Sequence, residues 1–137
     1  MDYSFLIKEA LEIREKAYVP YSKFKVGAAV LTRDDKIFAG CNIENASFGA
    51  TNCAERTAIF KAVSEGSTEI KAIAVVGDLN DYTYPCGICR QVIAEFSQED
   101  TEIIVAKNET EYKIFKLKDI LPGAFTKNDI YKENNNA

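Results

Sequence analysis

Residues 70–78, "IKAIAVVGD", form an almost unbroken apolar run. A strand that is apolar at nearly every position is typical of a sheet covered on both faces. Helical spacing of apolar residues precedes this run in residues 53–65 and follows it in 86–96. The pattern predicts an α/β fold in which this strand lies at the centre of the sheet.

Further strands and helices are predicted on either side. Apolar alternation and turn residues indicate strands at 20–31, 36–44, 101–108 and 112–117, the first two forming an antiparallel hairpin. Helical spacing indicates an amino-terminal helix and a short helix within 117–125. We therefore expect a three-layer α/β/α sandwich with a mixed sheet of about five strands, one domain at 1–131 and a disordered tail at 132–137.

Charge and hydropathy narrow the class of protein. Acids and bases interleave along the amino-terminal helix, unlike a secretory signal, and no apolar run is long enough to cross a membrane. We expect a cytoplasmic protein without membrane contact. The net charge of -4 and a pI near 5.0 disfavour nucleic acid as a partner and favour a small, weakly charged substrate.

The chain contains no histidine, which restricts its chemistry. Any metal must be held by Cys, Asp or Glu, and nucleophiles activated by an imidazole are excluded. A proton carrier would have to be a carboxylate, Lys or Tyr. Glu55, at the start of a predicted helix, becomes a candidate.

Three of the four cysteines stand where helices are predicted to begin: Cys53 in "TNCAERTAIF", and Cys86 and Cys89 in "PCGIC". The Cys-x-x-Cys pair alone is compatible with a metal half-site, a redox dithiol or two buried apolar cysteines. With Cys53, three thiolates at helix amino termini suit zinc and leave one tetrahedral position open, as in catalytic sites. The alternative is a structural site closed by Cys41, but Cys41 lies on the apolar side of its strand and is expected in the core.

Glu55 and Arg56 follow closely after Cys53 in the sequence, so both could act at such a site. Glu55 would move protons between bound water and a substrate, and Arg56 would donate hydrogen bonds to the cysteine sulfurs. Without a metal nearby, both would be ordinary solvated side chains on a helix surface.

The segments "CAER" and "PCGICRQ" resemble the small, homotetrameric cytidine deaminases, and the resemblance extends from "PYSKFKVGAA" to "LPGAF". It implies that Cys53, Cys86 and Cys89 bind zinc, that Glu55 is the proton shuttle and that Arg56 bonds a ligand sulfur. The implied reaction is pyrimidine salvage: cytidine or 2'-deoxycytidine and zinc-activated water give uridine or 2'-deoxyuridine and ammonia.

The resemblance also implies how a nucleoside is bound. In "CNIENAS", Asn42 and Glu44 would bind the ribose hydroxyls; alternation along the strand places both on one face. Phe24 would lie near the base, and Phe125 in "LPGAF" would reach a neighbouring subunit's pocket in a tetramer with shared active sites. Without the resemblance, both phenylalanines would be read as core residues.

Two positions depart from the family pattern: Phe48 stands where Tyr is frequent, and Ile88 where Ala is usual. We expect changes of fine packing only.

Three other functions remain as alternatives: action on an antibiotic or modified cytidine, a zinc-stabilised binding module without catalysis, and a nucleic-acid editor, which the acidic balance disfavours.

Overall fold

The computed structural model describes the backbone of residues 2–135 and the side-chain surroundings up to residue 131. Its helices and strands, in chain order, are α1 Ser4–Arg14, β1 Gly27–Thr32, β2 Ile37–Cys41, α2 Ala54–Ser64, β3 Ile70–Val76, α3 Gly87–Phe96, β4 Ser97–Ala106, β5 Tyr112–Lys116, α4 Leu117–Ile120 and α5 Lys127–Asn135, with a short 3-10 turn at Phe48–Ala50.

The five strands form one mixed sheet in the order β2-β1-β3-β4-β5. β3 lies at its centre, as predicted; it pairs antiparallel with β1 and parallel with β4. The remaining pairs, β1 with β2 and β4 with β5, are antiparallel. The parallel pair requires a crossover, which α3 supplies.

Side chains of β3 alternate between two separate cores. Ala72, Ala74 and Val76 pack with α1 on one face of the sheet, whereas Ile73 and Val75 pack with α2 and α3 on the other. The continuous apolar run in the sequence thus reflects a sheet covered on both faces. The predicted α/β/α layering is confirmed.

The connections place the beginnings of α2 and α3 at the same end of the sheet. α2 leads into β3 and α3 leaves it, so both helices begin near the carboxyl end of β3. Gly40 in β2 permits α2 to approach closely, because a Cβ at this position would lie 2.4 Å from the Ala58 nitrogen and 2.9 Å from the Ala54 carbonyl oxygen. Two helix amino termini are therefore brought together on one face.

Some boundaries differ from expectation. The predicted strand at 20–31 begins only at Gly27, and residues 20–26 form a loop held by side-chain hydrogen bonds. β2 ends at Cys41 rather than at residue 44. Ile88, which lies in the stretch 86–96 with predicted helical spacing, is 62% exposed, whereas Cys89, Ile93 and Ala94 are buried.

The carboxyl-terminal segment also differs. Helix α5 was not predicted and continues through Asn135, across the boundary that we expected at residue 131. Positions 136 and 137 lie outside the described residues, so disorder there stays a prediction. Over residues 2–135, none of the helices combines the length and the apolarity needed to span a membrane.

Candidate active site

The Sγ atoms of Cys53, Cys86 and Cys89 all lie within 4.8 Å of one another. Cys53 is the N-cap of α2 and Cys86 the N-cap of α3, and Cys89 lies buried in the first turn of α3. Unpaired backbone N–H groups and the positive end of the helix dipole stabilise thiolates at such positions. The fold thus assembles the three sulfurs that the sequence analysis singled out.

The donor set fits a zinc ion. Two thiolates bound at about 2.3 Å to one tetrahedral zinc lie roughly 3.8 Å apart, and the Cys53 and Cys86 sulfurs are separated by 3.8 Å. No His, Asp or Glu joins the cluster among the described residues. Cys41 is buried in the core and stays apart from it. A metal held here would keep one position free.

Arg56 donates a hydrogen bond of 3.1 Å from Nη2 to the Cys53 sulfur. A hydrogen bond from the Cys89 thiol and the bond from Arg56 hold the pKa of Cys53 well below its usual range. The hydrogen bond between Cys89 and Cys53 also raises the pKa of Cys89. Cys53 is therefore more readily ionised than Cys89. The positive guanidinium offsets part of the charge of three thiolates.

Glu55 is buried: its residue surface is only 4% exposed, although it lies in the first turn of α2. Burial raises the pKa of its carboxyl group to about 7, and the negative charge on Cys53 adds to this effect. A carboxyl group that titrates near neutrality can both accept and donate a proton. The interpretation as a solvated surface acid is thereby excluded.

The residues that follow β2, among them Asn42 and Glu44, are joined directly to the segment preceding Cys53. Ile43 exchanges two backbone hydrogen bonds of 2.9 Å with Asn52. Asn42 and Glu44 flank Ile43, and Cys53 follows Asn52, so the proposed ribose-binding pair and the sulfur cluster are neighbours. The structure brings these two parts of the predicted site together.

Phe24 lies on the loop beside this pair. The Asn42 side chain donates to the Phe24 carbonyl at 2.8 Å, and the Ser22 hydroxyl accepts from the Phe24 amide at 3.0 Å. The same hydroxyl donates to Glu44, whose carboxylate also accepts from the amides of Tyr21 and Ser22. The Ser22 hydrogen bond is the chief cause that lowers the pKa of Glu44, which keeps this carboxylate charged.

A cavity of about 430 Å³ opens next to Glu44 and is lined by Tyr21, Ser22, Glu44, Phe48 and Thr51. Phe48, one of the two departures from the family pattern, makes an edge contact with Tyr21 at 6.0 Å between ring centroids. A larger cavity, of about 600 Å³, lies around α4 and the start of α5 and includes none of the predicted site residues. The smaller cavity adjoins Glu44, one of the two predicted ribose ligands, and its lining includes neither the three cysteines nor Glu55.

Phe125 lies on the segment after α4, and its side chain is 63% exposed. Its carbonyl accepts a hydrogen bond of 2.7 Å from the Gln91 side chain on α3. Phe125 is thus attached to the helix that carries Cys86 and Cys89, and not to the loop that carries Phe24.

Several supporting side chains were not predicted from the sequence; Ser22, Asn52 and Gln91 are examples. Ser22 and Asn52 occur in turn-rich stretches next to predicted site residues, and a Ser or Asn there often bonds nearby backbone. That signal indicates a local hydrogen bond but does not identify Glu44, 22 residues away, as the partner of Ser22. Only the folded loop reveals the pairing.

Comparison with known proteins places this geometry in a family. Residues 1–107 match the model of the cytidine and deoxycytidylate deaminase zinc-binding region. The chain is 52% identical over 130 residues to a cytidine deaminase of Halalkalibacterium halodurans, covering 95% of this chain and 98% of the relative. It is 51% identical to that of Sporosarcina psychrophila over 130 residues, covering 95% and 96%.

A solved structure agrees with this result. The crystal structure of cytidine deaminase from Burkholderia pseudomallei superimposes with a TM-score of 0.84 at 48% identity, covering 91% of this chain and 100% of the other. These matches agree with the resemblance drawn from "CAER" and "PCGICRQ". So do the sulfur cluster, the buried glutamate and the sheet order. The chain belongs to the cytidine and deoxycytidylate deaminase zinc-binding family.

Proposed function

We propose that the protein hydrolyses cytidine and 2'-deoxycytidine to uridine and 2'-deoxyuridine with release of ammonia, a reaction of pyrimidine salvage. The observation that carries the proposal is the cluster of three cysteine sulfurs within 4.8 Å of one another, with the buried Glu55 two residues after Cys53. Membership of a zinc-binding deaminase family and relatives named cytidine deaminase support it.

Cys53, Cys86 and Cys89 would hold the zinc ion. When bound, zinc lowers the pKa of a water molecule and so supplies a nucleophile near neutral pH. Three thiolates outweigh the two positive charges of the ion, and the Arg56 hydrogen bond to Cys53 withdraws electron density from one of them. Arg56 therefore serves to keep the site acidic enough for this chemistry.

Glu55 would carry the protons of the reaction. Its carboxylate takes a proton from the attacking water and delivers it to the ring nitrogen next to the amino-bearing carbon. A second proton goes by the same group to the departing amino nitrogen, which leaves as ammonia while the carbon keeps the oxygen. Burial of Glu55 excludes bulk water, which would otherwise exchange these protons freely.

Asn42, Glu44 and Phe24 would bind the nucleoside. An amide and a carboxylate can bond the sugar hydroxyls, and the Phe24 ring offers an apolar face to the base. The charged Glu44 would repel a phosphate placed near the sugar. This arrangement favours free nucleosides over nucleotides and polymers.

We extend the proposal to a homotetramer in the cytoplasm. Phe125 is 63% and Phe48 76% exposed in the single chain, so both rings are free to contact another subunit. In the tetramer, Phe125 would enter a neighbouring subunit's pocket. None of the four cysteines forms a disulfide, as expected in a reducing compartment.

The direct test is ammonia release from cytidine by purified, zinc-loaded protein. We expect one ammonia per cytidine consumed, loss of the ultraviolet band of the cytosine ring, and much weaker activity on cytidine 5'-monophosphate. Turnover restricted to a different aminopyrimidine nucleoside would refute the cytidine assignment. Light scattering of the same sample would report whether four chains assemble.

A further inference from the structure

Arg90 joins two distant parts of the chain through its guanidinium group. Nε donates to the Pro85 carbonyl at 2.8 Å, and Nη1 donates to the Ile120 carbonyl at 2.7 Å. Pro85 immediately precedes Cys86, and Ile120 is the last residue of α4. This half-buried side chain therefore bonds both the residue before Cys86 and the last residue of α4.

The neighbouring side chain acts on the same segment further along. Gln91 donates to the Phe125 carbonyl at 2.7 Å, five residues after Ile120. Two consecutive residues of α3 thus fix residues 120–125 at two points. The segment otherwise contains one Pro-Gly pair, and its glycine, Gly123, lies in the left-handed region with φ of 66°. Such a segment depends on outside contacts for a defined course.

We propose that Arg90 is a positioning residue. It fixes the position of Cys86, at the metal site, relative to the segment that carries Phe125. The inference rests on the proposed function where it assigns Phe125 to a neighbouring subunit's pocket. Without Arg90, Pro85 and Ile120 would lose their common hydrogen-bond partner. The residues around Cys86 and those around Phe125 would then move independently.

Arginine suits this task better than any other residue. Its planar fork presents several N–H donors in fixed directions, so a single group can bond two carbonyls at once. Arg90 belongs to no ion pair in the portion of the chain whose side chains are described. Its charge is satisfied by two backbone carbonyls instead, which indicates that geometry, and not neutralisation of an acid, determines its presence.

The test compares four variants of the full-length, zinc-loaded protein. Arg90→Met removes both hydrogen bonds but keeps the aliphatic stem, and Arg90→Lys keeps the charge but cannot span both carbonyls. Gln91→Leu removes only the bond to Phe125. Arg33→Met is the matched control, because Arg33 follows β1 at the opposite end of the sheet and pairs with Asp100.

Two readouts need no substrate: the rate of zinc release to a chromogenic chelator, and amide hydrogen exchange in residues 120–126. We expect Arg90→Met to release zinc about 10-fold faster and to exchange faster in that segment. Gln91→Leu should accelerate exchange without changing zinc release, and Arg33→Met should change neither. Circular dichroism and the unfolding midpoint establish that each variant is folded.

The kinetic readout is the division between KM and kcat with cytidine. Arg90→Met and Arg90→Lys should each lower kcat/KM by about 10-fold or more, with KM rising in both. Unchanged zinc release in Arg90→Met, or wild-type exchange and KM in folded Arg90→Lys, would overturn the proposal. If the wild-type protein did not deaminate cytidine, the proposed function would fail, whereas zinc release and exchange would still decide the role of Arg90.

Discussion

The Sγ atoms of Cys53 and Cys86 lie 3.8 Å apart, although 33 residues separate the two cysteines in the chain. Each is the N-cap of a helix, and the two helices begin side by side because one enters and the other leaves the central strand β3. The position of the metal site is therefore a property of the topology. The proposed proton chemistry, by contrast, depends on one side chain of α2, that of Glu55.

Replacing that side chain by Glu55→Gln should reduce kcat by about 100- to 10,000-fold, because the amide cannot accept and return a proton. The similar size and shape of glutamine should preserve the fold and the cysteine cluster. Ammonia release measures the activity, and elemental analysis measures zinc. Full turnover with Gln at this position would remove Glu55 from its assigned role, whereas loss of zinc would indicate that the variant acts through the cluster instead.

Arg56→Gln should lower metal affinity or kcat by about 10- to 100-fold, since it removes the positive donor 3.1 Å from the Cys53 sulfur. Competition with a zinc chelator and steady-state kinetics distinguish the two effects. Arg33→Gln is a suitable control, because its ion pair with Asp100 lies at the other end of the sheet. Equal behaviour of the two variants would show that the loss of an arginine charge, and not the sulfur bond, is responsible.

Ser22→Ala should raise KM for cytidine by about 10-fold while kcat changes little, because the Ser22 hydroxyl connects Glu44 to the Phe24 amide and does not touch the sulfur cluster. Initial rates over a range of cytidine concentrations measure both constants. Ser64→Ala provides the control, because the Ser64 hydroxyl donates to the Lys61 carbonyl at the far end of α2. A fall in kcat alone would contradict the assignment of this loop to binding.

Tyr3 gives a prediction for alkaline pH. It is 2% exposed and donates a hydrogen bond of 2.6 Å to Glu102, and burial, followed by this bond, raises its pKa in the folded state. The folded chain therefore favours protonated Tyr3. The contribution is fully present below the unfolded-state pKa of about 10 and is lost as the pH rises above it.

Tyr3→Phe should consequently lower the free energy of unfolding by about 1–2 kcal/mol near neutrality. The difference from wild type should shrink between about pH 9 and about pH 11. Denaturant unfolding at several pH values, with circular dichroism as the signal, measures it. A difference that stays constant over this range would mean that ionisation of Tyr3 is not coupled to folding.

Local patterns predicted the central strand, the two layers of helices and the sulfur cluster. β3 could be recognised because it is apolar at nearly every position, and Cys53, Cys86 and Cys89 because each stands at the start of a helix with clear spacing. The burial of Glu55 could not be read from its helix, since the first turn of an amphipathic helix usually exposes a charged residue. It results from chain segments that are distant in sequence.

The loops were less predictable for the same reason. Residues 20–26 alternate like a strand, yet Ser22 and Phe24 bond to side chains near residues 42–44 and not to a neighbouring strand. α5 was missed because its sequence is mostly polar, which leaves no apolar stripe to indicate a helix. Gln91 bonds a backbone carbonyl far along the chain, and local spacing cannot predict a contact of this kind.

The two hydrogen bonds between Ile43 and Asn52 close the intervening residues 44–51 into a loop with a fixed base. Most of this loop, from Asn45 to Ala50, is exposed, and it carries Phe48 at the rim of the smaller cavity. A change in its length or composition would alter the shape of that rim, while the base keeps Cys53 in place. In the proposed function, exchanging this loop with that of a relative would reshape the nucleoside side of the site without displacing Cys53.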